Sequence, residues 1–236
     1  MAASHGLSER EPAIVDTINR ELRAPAAAGI AGLVFAGLFA ASIALLYRTP
    51  AKGSTAAQIA AWYLQNQAKT LGLVGLYLAP FSGIAFLWFV AAVRNRIGAN
   101  EDRFFATVFL AGGILFVALL FAASAVASSL VVGVRYLDQQ PPTAAENELL
   151  RALAYTFLFV YAIRAAAVFM IVSSTIGLRT RTLPRWLVLL GYIVALVQLF
   201  SVSYSRGFVF IFPAWVAVVS LELLRRARSE RTAAPA

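Results

Sequence analysis

The sequence predicts an all-α polytopic membrane protein, a six-helix transmembrane bundle with both termini in the cytoplasm. Three observations predict it. Of 236 residues, 61% are hydrophobic and only 13% are charged. The apolar residues run on for about twenty positions at a time instead of forming the spaced stripes of a water-soluble core. Lysine and arginine gather at the ends of these runs, and a single arginine, Arg164, sits far inside one.

The runs cover about 26–47, 70–93, 104–134, 149–177, 184–203 and 207–224. Each approaches or exceeds the ~20 residues a helix needs to cross ~30 Å of hydrocarbon. The third and fourth are long enough to tilt or to extend beyond the bilayer. Three regions follow: a tail over 1–25, a transmembrane domain over 26–224 and a basic tail over 225–236.

Ahead of the first run, S-E-R-E at Ser8 to Glu11 has the pattern of a capping box, and Ile14, Ile18 and Leu22 recur every four residues. This predicts a short amphipathic helix over 11–23 lying at the cytoplasmic interface, with a solvated tail as the other reading. The four acidic residues of this tail and the spanning length of the first run argue against a cleavable signal peptide.

Ala28, Gly32, Ala36, Ala40 and Ala44 place a small residue at every fourth position of the first span, which lets a second helix approach closely. The stretch that follows, Ser54 to Thr70, is too polar to span but contains no Gly or Pro. Ile59, Trp62 and Tyr63 share one helical face there, which predicts a helix resting on the membrane or capping the bundle.

Pro80 in the second span and Pro213 in the sixth each remove a backbone hydrogen bond, so a static kink or a transporter-like break is expected at each. In the third span Ser124 and Ser128 lie four apart among alanines, a packing strip like the first. Asp138, Pro141, Pro142, Glu146 and Glu148 form a turn leading into the fourth span. The chain after Leu224 is basic and is expected to lack fixed structure.

Thirteen Lys and Arg flank the spans on the side of the termini and six on the other side, which places the termini in the cytoplasm. Trp186 at one set of ends, and Tyr47, Tyr136 and Tyr204 at the other, stand where aromatic belts form. The formal charge of +9 has no basic domain to concentrate it, so nucleic acid is not an expected partner. Membrane lipids are, with a second copy of the chain or a partner membrane protein left open. With no cysteine and one histidine, His5 in the tail, no metal or other cofactor is expected. The spans hold hydroxyls with no base beside them and no phosphate-binding glycine pattern, which argues against an enzyme.

Arg164 interrupts V-Y-A-I-R-A-A-A-V-F-M, thirteen residues beyond Arg151 and so about 20 Å along the helix. A guanidinium well inside hydrocarbon costs roughly 3 to more than 10 kcal/mol, so it should face the bundle or a wet cavity. No acid lies at comparable depth in another span. Tyr161, Gln198, Tyr192, Ser124 and Ser128 are the polar candidates to satisfy it. Arg164, Tyr161 and Gln198 therefore form a candidate site for an anion, against the alternative of a structural arginine bonded to carbonyls and water.

Two stretches carry a resemblance. A-A-Q-I-A-A-W-Y-L-Q-N-Q, Ala56 to Gln67, leads into L-Y-L-A-P-F-S-G-I-A-F-L-W-F-V-A-A-V-R-N-R, and R-T-R-T-L-P-R-W-L-V-L-L-G-Y covers Arg179 to Tyr192. The chain resembles a group of six-span actinobacterial membrane proteins that carries no assigned activity. The resemblance implies a bacterial plasma membrane and a six-helix bundle. Two functions are then expected: an interaction or accessory protein acting through its packing surfaces, or a binding or transport protein for an anionic or amphipathic molecule anchored at Arg164.

Overall fold

The structure, a computed structural model, describes residues 10–46, 48–50, 53–65, 67–97, 103–200 and 207–233. Its helices are α1 (Arg10–Leu46), α2 (Ala56–Leu64), α3 (Gln67–Leu73), α4 (Ala79–Ile97), α5 (Arg103–Tyr136), α6 (Ala144–Tyr155), α7 (Ile163–Arg179), α8 (Arg185–Phe200) and α9 (Ile211–Ala233). A π-helical turn, Val74–Leu78, joins α3 to α4, a second, Thr156–Ala162, joins α6 to α7, and a 3₁₀ turn, Phe208–Phe210, opens α9. Among the described residues there is no strand.

Five segments are long and apolar enough to cross a membrane: Ala26–Leu46, Ala68–Arg94, Arg103–Tyr136, Ala144–Arg179 and Phe208–Ser229. The protein is thus a polytopic helical bundle. The fifth expected run appears as α8, apolar but only 16 residues long, and 201–203 of that run lie outside the described residues.

One aromatic knot holds the middle of the bundle. Phe35 of α1, Phe86 of α4, Phe116 of α5, Phe169 of α7 and Phe212 of α9 are all buried, and their ring centroids lie 4.8–6.2 Å apart in the contacting pairs. Most of these pairs are edge-to-face, the arrangement the ring quadrupole favours. Around the knot α1 lies against α4 and α9, α5 against α4 and α7, and α7 against α8. The small-residue strip of α1 serves this packing at its first half: Ala28 is buried, and Gly32 brings the backbone against Ser220 and Phe89. Its last member, Ala44, is exposed.

Two helical segments are longer than a bilayer core is thick. α5 has 34 residues and Ala144–Arg179 has 36, about 51 and 54 Å at 1.5 Å per residue, against the ~30 Å of hydrocarbon. α2 and α3 pack on α5 near its C-terminal end. Ile59, Tyr63, Ala68, Leu71 and Val131 form a second apolar cluster there, so the capping helix expected from Ile59 and Tyr63 is present. Thr55 starts α2 by accepting from Gln58 N–H while the Gln58 side chain accepts from Thr55 N–H, and Thr143 with Glu146 repeats the device at α6. The guanidinium of Arg135 donates to the Gln65 carbonyl where α2 ends.

Neither proline breaks its helix. Pro80 follows the first π-helical turn, where Ala79 N–H bonds Val74 five residues back. In that register residue 80 would bond Gly75, and proline supplies no N–H. Ser124 Oγ reaches the Gly75 carbonyl instead, at 3.5 Å. Pro213 stands in the first turn of α9, where a missing N–H costs little.

At the two termini the helices are longer than expected. α1 runs unbroken from Arg10, so the backbone of 11–23 is helical; its side chains, and Ser8, lie outside the described residues. α9 continues to Ala233, where the sequence predicts an unstructured tail. Glu222 supports that continuation by pairing with Arg225 at 3.3 Å and Arg226 at 2.8 Å one turn on, and Arg226 also donates to the Arg181 carbonyl.

Candidate functional site

A narrow crevice of two lobes lies where the long helices meet α1 and α2. The outer lobe is lined by Thr49, Pro50, Tyr63, Asn147 and Arg151 together with apolar residues of α5 and α6. The inner lobe is lined by Val74, Ala79, Leu120, Ala123 and Leu158, with Ser42 and Ser124 at its wall. Leu46, Ala127 and Ala154 belong to both, so the lobes adjoin. The cavity volume of each is about 30 Å³, far below the roughly 300–1,000 Å³ of ligand pockets.

Local sequence explains the space. Four alanines, Ala79, Ala123, Ala127 and Ala154, line the inner lobe. Both π-helical turns meet this lobe, through Val74 and Leu158, and a π turn widens a helix by one residue per turn and recurs at functional sites. Gly75 lets the first turn touch α5, since a Cβ there would collide with Ser128.

Polarity is confined to the outer lobe. The Arg151 side chain, 21% exposed, donates from Nη1 to the Pro50 carbonyl at 2.9 Å, and its Nη2 lies 3.7 Å from Glu148, which is 47% exposed. Glu148 also accepts from Gly53 N–H at 3.2 Å. Beside Arg151, Tyr63 Oη donates to Asn147 Oδ1 at 2.9 Å, and both side chains are buried. In the inner lobe the hydroxyls are committed, Ser42 to the Leu38 carbonyl at 2.8 Å and Ser124 to that of Gly75. The crevice thus offers a loosely paired cation at its mouth and an apolar interior.

Burial pushes the Tyr63 phenol up from 10.0 to about 12, although the charge of Arg151 pulls the other way. The folded protein therefore holds this proton more tightly than the unfolded chain does. The associated stability is complete below pH 10 and is lost at about 1.4 kcal/mol per pH unit as pH rises toward 12. An ultraviolet phenolate titration of wild type minus Tyr63→Phe should show one phenol titrating well above pH 10; a difference midpoint at 10 would put Tyr63 in water.

The residues singled out from the sequence lie elsewhere and are not hydrogen-bonded to one another among the described residues. Tyr161 is 53% exposed on the outer surface. Arg164 is half-buried, and its Nη1 donates to the Val160 carbonyl at 2.8 Å, inside the second π-helical turn. Gln198 is fully buried, with neither side-chain atom hydrogen-bonded. None of the three lines the crevice.

Ser174 sits against Gly191 and Thr175 Oγ1 bonds Tyr192 Oη at 2.8 Å, a hairpin register that sets Arg164 level with the end of α8.

Arg151, Tyr63 and Asn147 were not among the candidate site residues read from the sequence. Tyr63 was legible as a buried face of α2, and Arg151 only as a loop charge; nothing local joins residue 63 to 147 or residue 50 to 151.

The fold defines a helical multi-pass membrane protein with a narrow crevice, polar at its mouth, between its long helices. No family model, curated protein or solved structure matches the chain, so the resemblance to actinobacterial six-span proteins rests on the two quoted stretches alone.

Proposed function

We propose that this is a non-enzymatic, six-span protein of a bacterial plasma membrane that binds the anionic group of a small molecule or lipid beside Arg151, at the mouth of the crevice. α8 is the fifth span, both termini are cytoplasmic, and the crevice opens on the outer face. The observation that carries the reading is Arg151: a partly buried guanidinium at the polar mouth of a narrow crevice, held by one carbonyl and a loosely placed, half-exposed carboxylate. Its remaining donors suit a carboxylate or phosphate. Arg164 is bonded to its own helix and takes a structural part in this reading. The rival, an interaction protein working through packing surfaces, leaned on the small-residue strips, and the first half of the α1 strip is occupied by the protein's own helices.

Native mass spectrometry of the protein released from nanodiscs tests the reading. Wild type is expected to carry a bound anionic species that Arg151→Gln loses by about tenfold or more, the worth of a charge-assisted hydrogen bond, and that Arg164→Leu keeps. Loss in Arg164→Leu alone would move the anchor to Arg164, and bare protein throughout would favour the interaction reading. The chain has no native cysteine, so Gln58→Cys and Arg231→Cys report the topology directly. An impermeant thiol reagent should label position 58 on intact cells and position 231 only after lysis; the reverse pattern would invert the protein.

A further inference from the structure

We propose that a second cavity, between the end of α1 and the corner that joins α2 to α3, binds a small organic anion, a carboxylate or a phosphate monoester, with Arg48 as the charge that recognises it. The site lies apart from the crevice: of its lining residues only Leu71 also lines the outer lobe.

Volume singles this cavity out. It holds about 260 Å³, against about 30 Å³ in each lobe of the crevice and about 40 Å³ in the cavity beside Trp215. One water takes roughly 10–15 Å³ of such space, and ligand pockets begin near ~300 Å³. A molecule of several heavy atoms therefore fits here and not in the crevice.

The chain makes the space by turning twice. α1 closes with Arg48 N–H bonded to the Leu45 carbonyl and Thr49 N–H to that of Leu46. α2 stops at Leu64, Gln65 N–H bonds back to the Ala61 and Trp62 carbonyls, and α3 restarts at Gln67. Trp62 thus stands on the last turn of α2 and Thr70 on the first turn of α3. Leu45, Arg48, Trp62, Thr70 and Leu71 line the space left between the three helices.

The lining carries a positive charge and a hydroxyl but no carboxylate. Arg48 is exposed, and among the described residues its guanidinium has no ion pair or hydrogen bond; Glu148 and Glu222 are engaged by Arg151, Arg225 and Arg226. A guanidinium offers five N–H donors in a planar fork that matches a carboxylate or phosphate, and it stays charged at any working pH. Trp62 Nε1 is buried and unbonded, so the indole meets the cavity through its carbon atoms. With Leu45 and Leu71 it gives a short carbon skeleton an apolar wall. One cation and one hydroxyl beside such a wall select an anion over a neutral molecule. A soluble phosphate ester or carboxylate and the head group of an anionic lipid share this chemistry.

Tryptophan fluorescence of the full chain in phosphatidylcholine nanodiscs tests the proposal, with glycerol 3-phosphate and succinate as probes and glycerol as the neutral control. Both anions should change the emission saturably, and the change should vanish in Trp62→Phe, which removes the reporter in the wall. Arg48→Gln should weaken binding about tenfold or more and Thr70→Val about threefold, the worth of a charged and a neutral hydrogen bond, while Arg151→Gln leaves it unchanged. Arg48 is exposed, so Arg48→Gln should melt with wild type. Nanodiscs containing phosphatidate separate the two sources. Emission that is already shifted and no longer answers glycerol 3-phosphate identifies a lipid head group; an undiminished response identifies a free anion. An equal response to glycerol, no saturable change with either anion, or equal affinity in Arg48→Gln would overturn the site. Loss in Arg151→Gln with Arg48→Gln unaffected would also overturn it and return the anion to the mouth of the crevice, so the two binding readings fail separately.

Discussion

Phe86→Ala is expected to cost the bundle about 3 kcal/mol, the lower end of the ~3–5 kcal/mol seen when buried phenylalanine is truncated. Phe86 has no exposed surface and meets the rings of Phe35, Phe89, Phe116, Phe169 and Phe212 at centroid distances of 4.8, 6.0, 5.1, 5.1 and 5.6 Å. These rings come from every long span, so removing the one at the centre leaves a cavity that no single helix can close. The loss sits at the low end because lipid tails are as apolar as the core, and transfer out of water contributes little between helices. What remains is lost dispersion and the void itself. Phe81→Ala is the control: on the same helix but 56% exposed, it should melt within about 0.5 kcal/mol of wild type. Thermal unfolding in detergent, followed by circular dichroism, reads both. Equal losses in the two variants would mean that the knot is no more than one apolar contact among many.

Gly32→Leu should be of similar size, about 3 kcal/mol, at the upper end of what overpacking usually costs. A Cβ on Gly32 falls on Ser220 Oγ and 2.9 Å from Phe89, and one turn of backbone away Gly29 lies against Leu224 and the Ser220 carbonyl. α1 is thus pressed on α4 and α9 at once, and a leucine can be admitted only by moving two helices. Gly37, where a Cβ would meet no atom within 4 Å, provides the comparison: Gly37→Leu should be neutral or slightly stabilising, since leucine favours helix over glycine. Size-exclusion chromatography and proteolysis in detergent would show whether the Gly32 variant still assembles. A Gly32→Leu protein as stable as the Gly37 variant would mean that α1 does not pack on α9 as described.

Much of this architecture was written locally. Long apolar runs must be helices in lipid, because only an internally bonded backbone is tolerated there. The cap helix was legible because Ile59, Trp62 and Tyr63 share a face in a stretch without Gly or Pro; the structure adds the Thr55–Gln58 capping box at its start. The same holds for Pro184, whose carbonyl accepts from Leu187 and Val188 at the start of α8. The basic C-terminal segment, expected to lack fixed structure, continues the helix: Glu222 pairs with Arg226 one turn on, and Arg226 also donates to the distant Arg181 carbonyl.

The candidate site was less legible for the same reason. Arg164 stood out because a charge in an apolar run is conspicuous, while Arg151 looked like an ordinary loop charge. Hydropathy along one chain measures the cost of placing a residue in lipid, but not what faces it. Tyr63 and Asn147 are 84 residues apart, and Pro50 and Arg151 are 101 apart, so no window of sequence contains either pair. By itself the sequence determined the membrane class, the capping helix and the polarity of each segment, because these follow from side-chain chemistry and hydrogen bonds made within a few turns. Only the tertiary structure decided that two π-helical turns and four alanines meet at a narrow crevice, and that Arg151 stands at its mouth. Those are properties of surfaces brought together by folding, and each surface alone carries no sign of the other.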